Sequence, residues 1–320
     1  MTTPKLSIVV VVHRMARQAE NTLYSLSTAY QRHVAPDDYE LIVVENASSD
    51  VLGEARATAA ANRVRYFFRD ERGVSPAPAL NFGVRQARAP FIGLVVDGAR
   101  LVTPRVVEYA LLASRMDPKA LVVVPGYHLG ATEQQRDPTY EEAKEIELLA
   151  RSGWQDDGYA LFDIATLSSA NASGVFHPFM ESNCLFCARD SYDRIGGADE
   201  RFDLPGGGSV NLYLYRRLAL LAESRLVVLP GEGSFHQFHG GVTTTASPEL
   251  PGVLAEHRAQ LAALLGHPFE SPKREPLLLG AVTSHALPAL GHSVERGLSR
   301  FTRFRNQGNK AWSDDPDPTE

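Results

Sequence analysis

Two acidic residues stand directly after apolar, strand-like stretches of this sequence. Glu45 follows Leu41–Val44, and Asp97 follows Phe91–Val96. In an open parallel sheet the carboxyl ends of the strands border the ligand crevice, and an acid placed there reaches solvent, so that it stays charged at little desolvation cost. The two acids therefore indicate a nucleotide-binding site at one edge of a sheet.

The segments around these acids alternate between short β-rich runs and helix-like stretches. Strands are predicted at residues 6–12, 39–44, 64–68, 91–96 and 121–124, and helices at about 16–30, 76–88 and 104–116. One more helix is predicted to run from the N-cap residues Ser48–Asp50 to about residue 62. Such alternation is typical of a parallel sheet with helices on both faces. We therefore predict an α/β fold with a doubly wound, mostly parallel sheet.

The alternation stops between Pro125 and Pro178. A polar, partly helical stretch in this region precedes a segment rich in Ser, Ala and Asn. Regions of this size inside α/β chains commonly bind ligands or form lids. Further strands are predicted at residues 182–188 and 225–229, and further helices at about 210–222 and 249–265.

The composition is that of an ordinary folded protein. Of the 320 residues 44% are hydrophobic and 22% are charged, and the net charge of −6 gives no general attraction to nucleic acid or anionic lipid. The N-terminus does not resemble a signal peptide and no apolar run approaches the ~18 residues of a membrane span, so we expect a cytoplasmic protein. Cys184 and Cys187 lie within one apolar run, which favours buried structural thiols over a redox pair.

Six groups of residues, taken in chain order, resemble the family 2 glycosyltransferases of the GT-A fold. They are Val12–Arg14, Val43–Asp50, Arg72–Gly83, Phe91–Pro104, Ile195–Phe202 and His239–Gly241. Each motif alone is weak, but the series in this order is specific and covers about residues 5–242. The resemblance implies a GT-A fold and the transfer of a sugar from a nucleoside diphosphate sugar, with UDP as the favoured nucleotide, to an acceptor hydroxyl or other nucleophile.

The resemblance also implies donor-binding roles for several residues. Glu45 aligns with an acid, usually Asp, that hydrogen-bonds the base; the alternative is a solvated strand-end acid. Asn81 aligns with a residue near the donor, although Leu80 stands where an arginine is common. His13 and Arg14 could lie beside the ribose or the diphosphate, or could be ordinary loop residues.

Members of this family usually hold a divalent metal with an Asp-x-Asp pair, because negative charge builds on the leaving diphosphate. Here Asp97 takes the first position, while Ala99 and Arg100 take the positions of the acids that follow. Two hypotheses remain open. His239 could join Asp97 as a ligand of Mn²⁺ or Mg²⁺, with His236 as a further candidate. Alternatively, Arg100 could bind the diphosphate directly through its bidentate guanidinium.

An inverting enzyme of this family needs a carboxylate that accepts the proton of the acceptor. The stretch that aligns with the usual position of this acid, Gly206–Asn211, contains no acid. We predict Glu181 as the catalytic base, with Asp199 as the next candidate, although Asp199 could instead fix its own turn. A chain without a working base would be a non-catalytic nucleotide-sugar or glycan-binding protein. A nucleotidyltransferase is disfavoured, because no glycine follows the first strand in His13–Ala16.

We expect three parts along the chain. Residues 1–125 form the nucleotide-sugar-binding half of a GT-A domain, residues 126–275 form its acceptor-binding and catalytic half, and residues 276–320 form a C-terminal extension with a basic helix and an acidic tail. The basic helix, with Arg296, Arg300 and Arg305, could contact an anionic membrane that carries a lipid-linked acceptor, or could simply pack or face solvent. The acceptor itself is not indicated by any motif.

Overall fold

The computed structural model describes residues 3–71, 73–171, 174–176 and 179–307. Within these residues the strands are β1 (Leu6–Val12), β2 (Tyr39–Asn46), β3 (Val64–Arg69), β4 (Phe91–Val95), β5 (Arg100–Val102), β6 (Ala120–Val123), β7 (Gly126–Leu129), β8 (Ala165–Leu167), β9 (Cys184–Ala188), β10 (Arg225–Val228), β11 (Ser234–His236) and β12 (Leu277–Leu278). The helices are α1 (Ala16–Ser25), α2 (Gly53–Ala60), α3 (Ala77–Gln86), α4 (Val106–Met116), α5 (Glu142–Ser152), α6 (Arg189–Arg194), α7 (Val210–Ala219), α8 (Leu250–Leu265) and α9 (Leu287–Gln307). Arg72 and the predicted acidic tail lie outside the described residues.

Eight strands form one sheet, the main sheet, in the order β12-β10-β6-β9-β4-β1-β2-β3. Neighbouring strands are parallel except at β9, which runs antiparallel to both β4 and β6. Along β1, Leu6, Ile8 and Val10 belong to one buried cluster, and Val9 and Val11 belong to another. Burial on both faces explains why the strand is apolar at nearly every position.

Helices cover both faces of the main sheet. Leu23 of α1 and Val107 of α4 are buried in the first cluster, whereas Leu80 of α3 and Leu214 of α7 are buried in the second. The predicted α/β fold with a doubly wound, mostly parallel sheet is therefore confirmed. Cys184 and Cys187 are both free and buried, and β9 contains both of them, as predicted.

Four short strands form a second sheet, the small sheet, in the order β5-β11-β7-β8. The side chains of Leu101 and Phe235 on one of its faces are buried in a third apolar cluster. Arg100, His236 and His128 are aligned neighbours across β5, β11 and β7. The sequence did not predict this sheet, because strands of three or four residues are too short to show a readable alternation.

The N-caps predicted for α2 are wrong. This helix begins at Gly53 without a side-chain cap from the preceding residue. The hydroxyl of Ser48 instead accepts a hydrogen bond from the amide of Arg14 (3.1 Å), and the carboxylate of Asp50 accepts one from the amide of Ala16 (2.9 Å). These contacts join the loop after β2 to the loop after β1, so that two loops at one edge of the main sheet hold each other in place.

The C-terminal segment extends the main sheet. The predicted division at residue 276 falls just before β12, which pairs with β10 at the edge of the sheet. The basic residues Arg296 and Arg300 belong to α9, where Leu298 and Phe301 are exposed. None of the helices among the described residues combines the length and the hydropathy needed to cross a membrane.

Candidate active site

A cavity of about 1070 Å³ lies between the carboxyl-terminal edge of the main sheet and the polar face of the small sheet. Its walls include Val96 at the end of β4, Val124 at the end of β6, His128 of β7 and Ser234 of β11. The volume is at the upper limit of the ~300–1,000 Å³ that is typical of small-molecule sites. The cavity is therefore the first place to look for the predicted site residues.

Most of the predicted site residues meet in this cavity. Those that line it are His13, Arg14, Asp97, Arg100, Glu181 and His239. Glu45, Asn81 and Asp199 are not among the lining residues.

Glu45 is fully buried at the end of β2, and its carboxylate is already bonded. It accepts hydrogen bonds from the amides of Leu52 (2.7 Å) and Gly53 (3.0 Å) and from the hydroxyl of Tyr66 (2.5 Å). The two amides lie at the start of α2, where unpaired N–H groups and the helix dipole favour an acid. Glu45 therefore stabilises the first turn of α2, and its contact with a base stays a prediction.

Asn81 and Asp199 bond to the turn that follows α6. Oδ1 of Asn81 accepts hydrogen bonds from the amide of Ala198 (3.0 Å) and the hydroxyl of Tyr192 (2.7 Å), and Nδ2 donates to the carbonyl of Ala198 (2.9 Å). Asp199 pairs with Arg201 at 2.6 Å, and hydrogen bonds from Arg201 lower the pKa of the Asp199 carboxyl. Because a lowered pKa makes a carboxylate a weaker base, this arrangement fits the turn-fixing alternative for Asp199.

Asp97, His236 and His239 form a compact cluster, and Asp97 and His239 of this cluster line the cavity. Oδ2 of Asp97 lies 3.1 Å from Nε2 of His236 and 3.4 Å from Nε2 of His239, and the two Nε2 atoms are 3.2 Å apart. Two ligands of one ion are separated by about 3.0–3.4 Å when each ligand bond is about 2.0–2.2 Å long. The three atoms therefore have the spacing of a single metal site.

The charge states of this cluster suit a metal ion. Burial opposes ionisation of Asp97, but attraction to His239 is the largest of the opposing effects, and the pKa of the carboxyl is held well below its usual value. Burial lowers the pKa of His236 to about 4, so its imidazole is neutral at pH 7. Burial also disfavours the charged form of His239, but Asp97 outweighs this effect and raises the pKa of that imidazole. Carboxylate and neutral imidazole are the forms that bind metals, so an ion would compete with a proton for His239.

Arg100 is a buried cation without an anionic partner among the described residues. It is 7% exposed, its Nε atom has no hydrogen-bond partner there, and it forms no ion pair there. Its strand, β5, places it directly beside His236 of β11. A desolvated, unpaired guanidinium is costly. A bound oxyanion would remove this cost, because the guanidinium fork can hold two oxygen atoms at once.

Glu181 supplies a carboxylate on another wall of the cavity. It accepts hydrogen bonds from the side-chain amides of Asn183 (3.2 Å) and Asn211. Burial raises the pKa of this carboxyl, although Arg100 opposes the shift. Asn211 is the last residue of Gly206–Asn211, the stretch that lacks the usual acid. This stretch therefore contributes a hydrogen bond to Glu181 and does not contribute a carboxylate of its own.

Further polar side chains that the sequence did not single out line the cavity, among them His128, Gln135, Asn171 and Ser234. Each of these four has a buried atom without a hydrogen-bond partner among the described residues. Oδ1 of Asn171 accepts a hydrogen bond from the amide of Gly126 (2.8 Å), which leaves Nδ2 free to donate into the cavity. Buried polar atoms of this kind are expected to bond to ligand or water, and their mixture of donors and acceptors suits hydroxyl groups.

Comparisons with known proteins identify the family of the chain. Residues 7–167, half of the chain, match the family described as glycosyl transferase family 2. Two relatives named validoxylamine A glucosyltransferase, from Streptomyces hygroscopicus subsp. limoneus and subsp. jinggangensis, are each 28% identical over 321 residues, which cover 95% of this chain. The chain spans 64% and 69% of the lengths of these two relatives, about two thirds.

Solved structures show the same fold. Residues 1–349 of Staphylococcus aureus TarS in complex with UDP match with a TM-score of 0.51 and 14% identity, over 95% of this chain and 75% of that one. The complex of the same fragment with UDP-GlcNAc matches with a TM-score of 0.50 and 12% identity, over 96% and 78% of the two chains. The chain therefore belongs to glycosyl transferase family 2 and has the GT-A fold.

Proposed function

We propose that this member of the family is an enzyme that transfers a sugar from a nucleoside diphosphate sugar to an acceptor nucleophile. The observation that carries the proposal is that one cavity combines a metal-type cluster, a buried cation without an ion-pair partner among the described residues, and a half-buried carboxylate. Transfer from such a donor needs positive charge on the leaving diphosphate and a base for the acceptor. The three groups have the chemistry to meet these two needs.

UDP is the proposed nucleotide. TarS is known in complexes with UDP and UDP-GlcNAc, and the named relatives are glucosyltransferases. His13 and Arg14 line the cavity directly after β1, and we place them beside the ribose or the diphosphate. Burial lowers the pKa of His13, so that a neutral imidazole is available to accept a hydrogen bond from a ribose hydroxyl.

Asp97 and His239 are the proposed protein ligands of a divalent ion. Mn²⁺ suits them better than Mg²⁺, because Mg²⁺ prefers oxygen ligands and retains its water. When bound, the ion supplies positive charge to the diphosphate.

Arg100 supplies a second positive charge in this proposal. Asp97 cancels one of the charges of a divalent ion, whereas a donor diphosphate is charged on both phosphates and gains further negative charge as its bond to the sugar breaks. The buried guanidinium of Arg100 forms no ion pair among the described residues, and its Nε atom has no hydrogen-bond partner there. We therefore propose that Arg100 neutralises the negative charge of the diphosphate that the ion does not.

Glu181 is the proposed catalytic base, and Asp199 takes second place because it does not line the cavity. The Glu181 carboxylate removes the proton of the acceptor, the acceptor atom bonds to the anomeric carbon of the sugar, and the bond from that carbon to the diphosphate breaks. The nucleoside diphosphate leaves with the bonding electrons. The raised pKa of Glu181 makes it a stronger base than an ordinary exposed carboxylate.

The relatives suggest an acceptor to test, and the cysteines suggest a cellular location. The name of the relatives makes validoxylamine A the first acceptor to assay, and the region 126–178 supplies acceptor-side walls through Gln135 and Asn171. The cytoplasm remains the proposed location, because both cysteines are free and buried.

The experiment measures release of UDP from UDP-glucose and UDP-GlcNAc, with validoxylamine A and with water alone as acceptor. Samples contain Mn²⁺, Mg²⁺ or EDTA. We expect UDP release that is fastest with Mn²⁺ and is abolished by EDTA, and a Glu181→Gln variant that still binds UDP but releases little. Wild-type protein that binds UDP yet never releases it from either donor would contradict the proposal and support the non-catalytic alternative.

A further inference from the structure

The position of the second family acid is occupied by Ala99, whose methyl group cannot bind an ion. We propose that His236 replaces this acid as a metal ligand, and that Gln134 and Glu145 are positioning residues that fix its ring and its loop. The inference rests on the metal-dependent transfer proposed above. It concerns the way in which this chain compensates for its own departure from the family pattern.

The orientation of the Gln134 amide is determined by its neighbours. Nε2 donates to the carbonyl of His236 (3.1 Å) and, more weakly, to the carbonyl of Leu129 and to Oε2 of Glu145 (both 3.5 Å). All three partners are acceptors, so this end of the amide must carry the hydrogens. The other end, Oε1, lies 2.8 Å from Nδ1 of His236. Because a carbonyl oxygen only accepts, Nδ1 must be the donor.

This hydrogen bond determines the tautomer of His236. With its hydrogen on Nδ1, the neutral ring has its lone pair on Nε2. Nε2 is the atom that lies 3.1 Å from Oδ2 of Asp97. A nitrogen lone pair that faces a carboxylate oxygen at this distance is repelled unless a cation lies between the two atoms. The ring is therefore presented in the form and direction that a metal ligand requires.

A proton on Nε2 is the competing explanation for this close approach. It would make His236 an imidazolium directly beside Arg100, its aligned neighbour on β5, in a part of the molecule where both residues are buried. Two adjacent buried cations repel each other strongly. The hydrogen bond from Nδ1 to Gln134 leaves either the neutral ring or the imidazolium, and the histidine spectrum and the Mn²⁺ affinity described below separate the two.

The loop between the two histidines is clamped from two sides. The amide of Phe238 donates to Oε2 of Glu145 (2.5 Å), and the carbonyl of Phe238 accepts a hydrogen bond from Nε2 of Gln18 (2.5 Å). The Glu145 side chain is fully buried, and its other oxygen pairs with Arg17 at 2.9 Å. Since Phe238 lies between the two histidines in sequence, these contacts hold both imidazoles at a fixed separation.

Gln134 and Glu145 come from the region that we expected to bind the acceptor. Gln134 lies in the short turn after β7, and Glu145 lies on α5. Neither is among the residues that line the cavity. Part of this region therefore acts from behind the site, on the metal-binding loop, instead of touching the acceptor.

The test measures Mn²⁺ affinity directly, by electron paramagnetic resonance of free Mn²⁺, with His236→Ala, Gln134→Met and Gln31→Met. Gln31 is the matched control, because it is also a buried glutamine with bonded side-chain amide groups and lies away from the cavity. Loss of a bond that orients a metal-ligating histidine typically weakens metal binding about 10–100-fold. We expect losses of this size for Gln134→Met and larger ones for His236→Ala, whereas Gln31→Met lowers the melting temperature and leaves Mn²⁺ affinity unchanged.

A measurement on the unaltered chain guards against variants that fail to fold. In a long-range ¹H–¹⁵N spectrum of histidine-labelled, metal-free protein, we expect the tautomer of His236 with hydrogen on Nδ1. The opposite tautomer, or unchanged Mn²⁺ affinity in His236→Ala, overturns this inference but leaves the proposed transfer intact. Wild-type protein that binds no Mn²⁺, with or without UDP, overturns both.

Discussion

The two sheets contribute opposite chemistry to the cavity. The main sheet brings carboxylates to its edge: Asp97 follows β4, and Glu181 lies just before β9. The small sheet brings a cation and nitrogen ligands to its polar face, through Arg100 and His236. A donor bound between them would have its leaving group near the small sheet and its acceptor near Glu181. In the proposed mechanism the main sheet therefore supplies the base and one metal ligand, Asp97, and the small sheet supplies the further positive charge of Arg100 for the diphosphate.

The largest effect is expected from the proposed base. Glu181→Gln should lower kcat by about 10²–10⁴-fold, because general-base catalysis contributes a factor of that order, and UDP affinity should stay near the wild-type value. Burial raises the pKa of this carboxyl, so the rise of wild-type activity with pH should lie at higher pH than for an ordinary glutamate. Asp199→Asn is the control, since Asp199 does not line the cavity. Full turnover in Glu181→Gln would show that Glu181, at the edge of the main sheet, is not the catalytic base.

The next effect tests the small sheet. Arg100→Met should reduce kcat/KM by about 10²–10³-fold, the usual cost of removing one group that stabilises developing negative charge. Arg100→Lys should restore only part of this loss, because an ammonium group lacks the bidentate fork. Steady-state kinetics with UDP-glucose measures both variants. Equal activity in all three proteins would show that the ion alone neutralises the diphosphate.

A core substitution in the main sheet should affect stability and leave the chemistry unchanged. Ile42→Ala removes a fully buried side chain from β2 and should lower the free energy of unfolding by about 2–5 kcal/mol. Urea denaturation measures the loss. At a temperature where the variant remains folded, its Mn²⁺ affinity should match that of the wild type. A large drop in affinity would show that the packing of the main sheet and the metal site depend on each other.

A smaller effect concerns a buried acid beside the small sheet. Glu232 accepts hydrogen bonds from the hydroxyls of Thr103 (2.5 Å) and Tyr159 (2.9 Å), and burial raises its pKa to about 7. Because the folded pKa lies above the unfolded one, the contribution of Glu232 to stability is complete below about pH 4.3 and is lost as the pH rises through 7. Chemical denaturation at pH 5 and pH 8 should therefore show a larger wild-type advantage over Glu232→Gln at pH 5. An advantage that grows toward pH 8 would contradict this assignment.

The smallest effect is expected at α9. Its exposed Leu298 and Phe301 lie near Arg300, yet the chain carries a net charge of −6. We expect protein with and without the residues after Glu295 to pellet equally with vesicles of phosphatidylserine and phosphatidylcholine. Pelleting that depends on this segment would support the membrane hypothesis and would make α9 a binding surface in addition to the two sheets.

The sequence predicted the main sheet and only part of the site, and the reason is local. Val9 and Ile42 lie in long apolar runs because both faces of the sheet are covered, and such runs are visible in a sequence. Arg100 and His236 lie on strands of three residues, and only the pairing of those strands makes them neighbours. Their proximity is a property of tertiary structure that no spacing in the chain encodes.

Two predicted donor residues show a second limit. Glu45 and Asn81 were singled out from their place in a motif, and both side chains bond within the protein, at the start of α2 and in the turn after α6. An acid at a strand end can bind a ligand or can bond to the amides of the next helix, and the residues around it look the same in either case. Only the path of the loop between strand and helix separates the two outcomes.

The reversed direction of β9 has a consequence for where acids are sought in such chains. Cys184 at its beginning is aligned with Val95 at the end of β4, so the start of one strand and the finish of the other share a border of the sheet. For a strand that runs against its neighbours, the residues that precede it are equivalent to those that follow a parallel strand. A search restricted to the downstream side of each strand would find Asp97 and pass over Glu181.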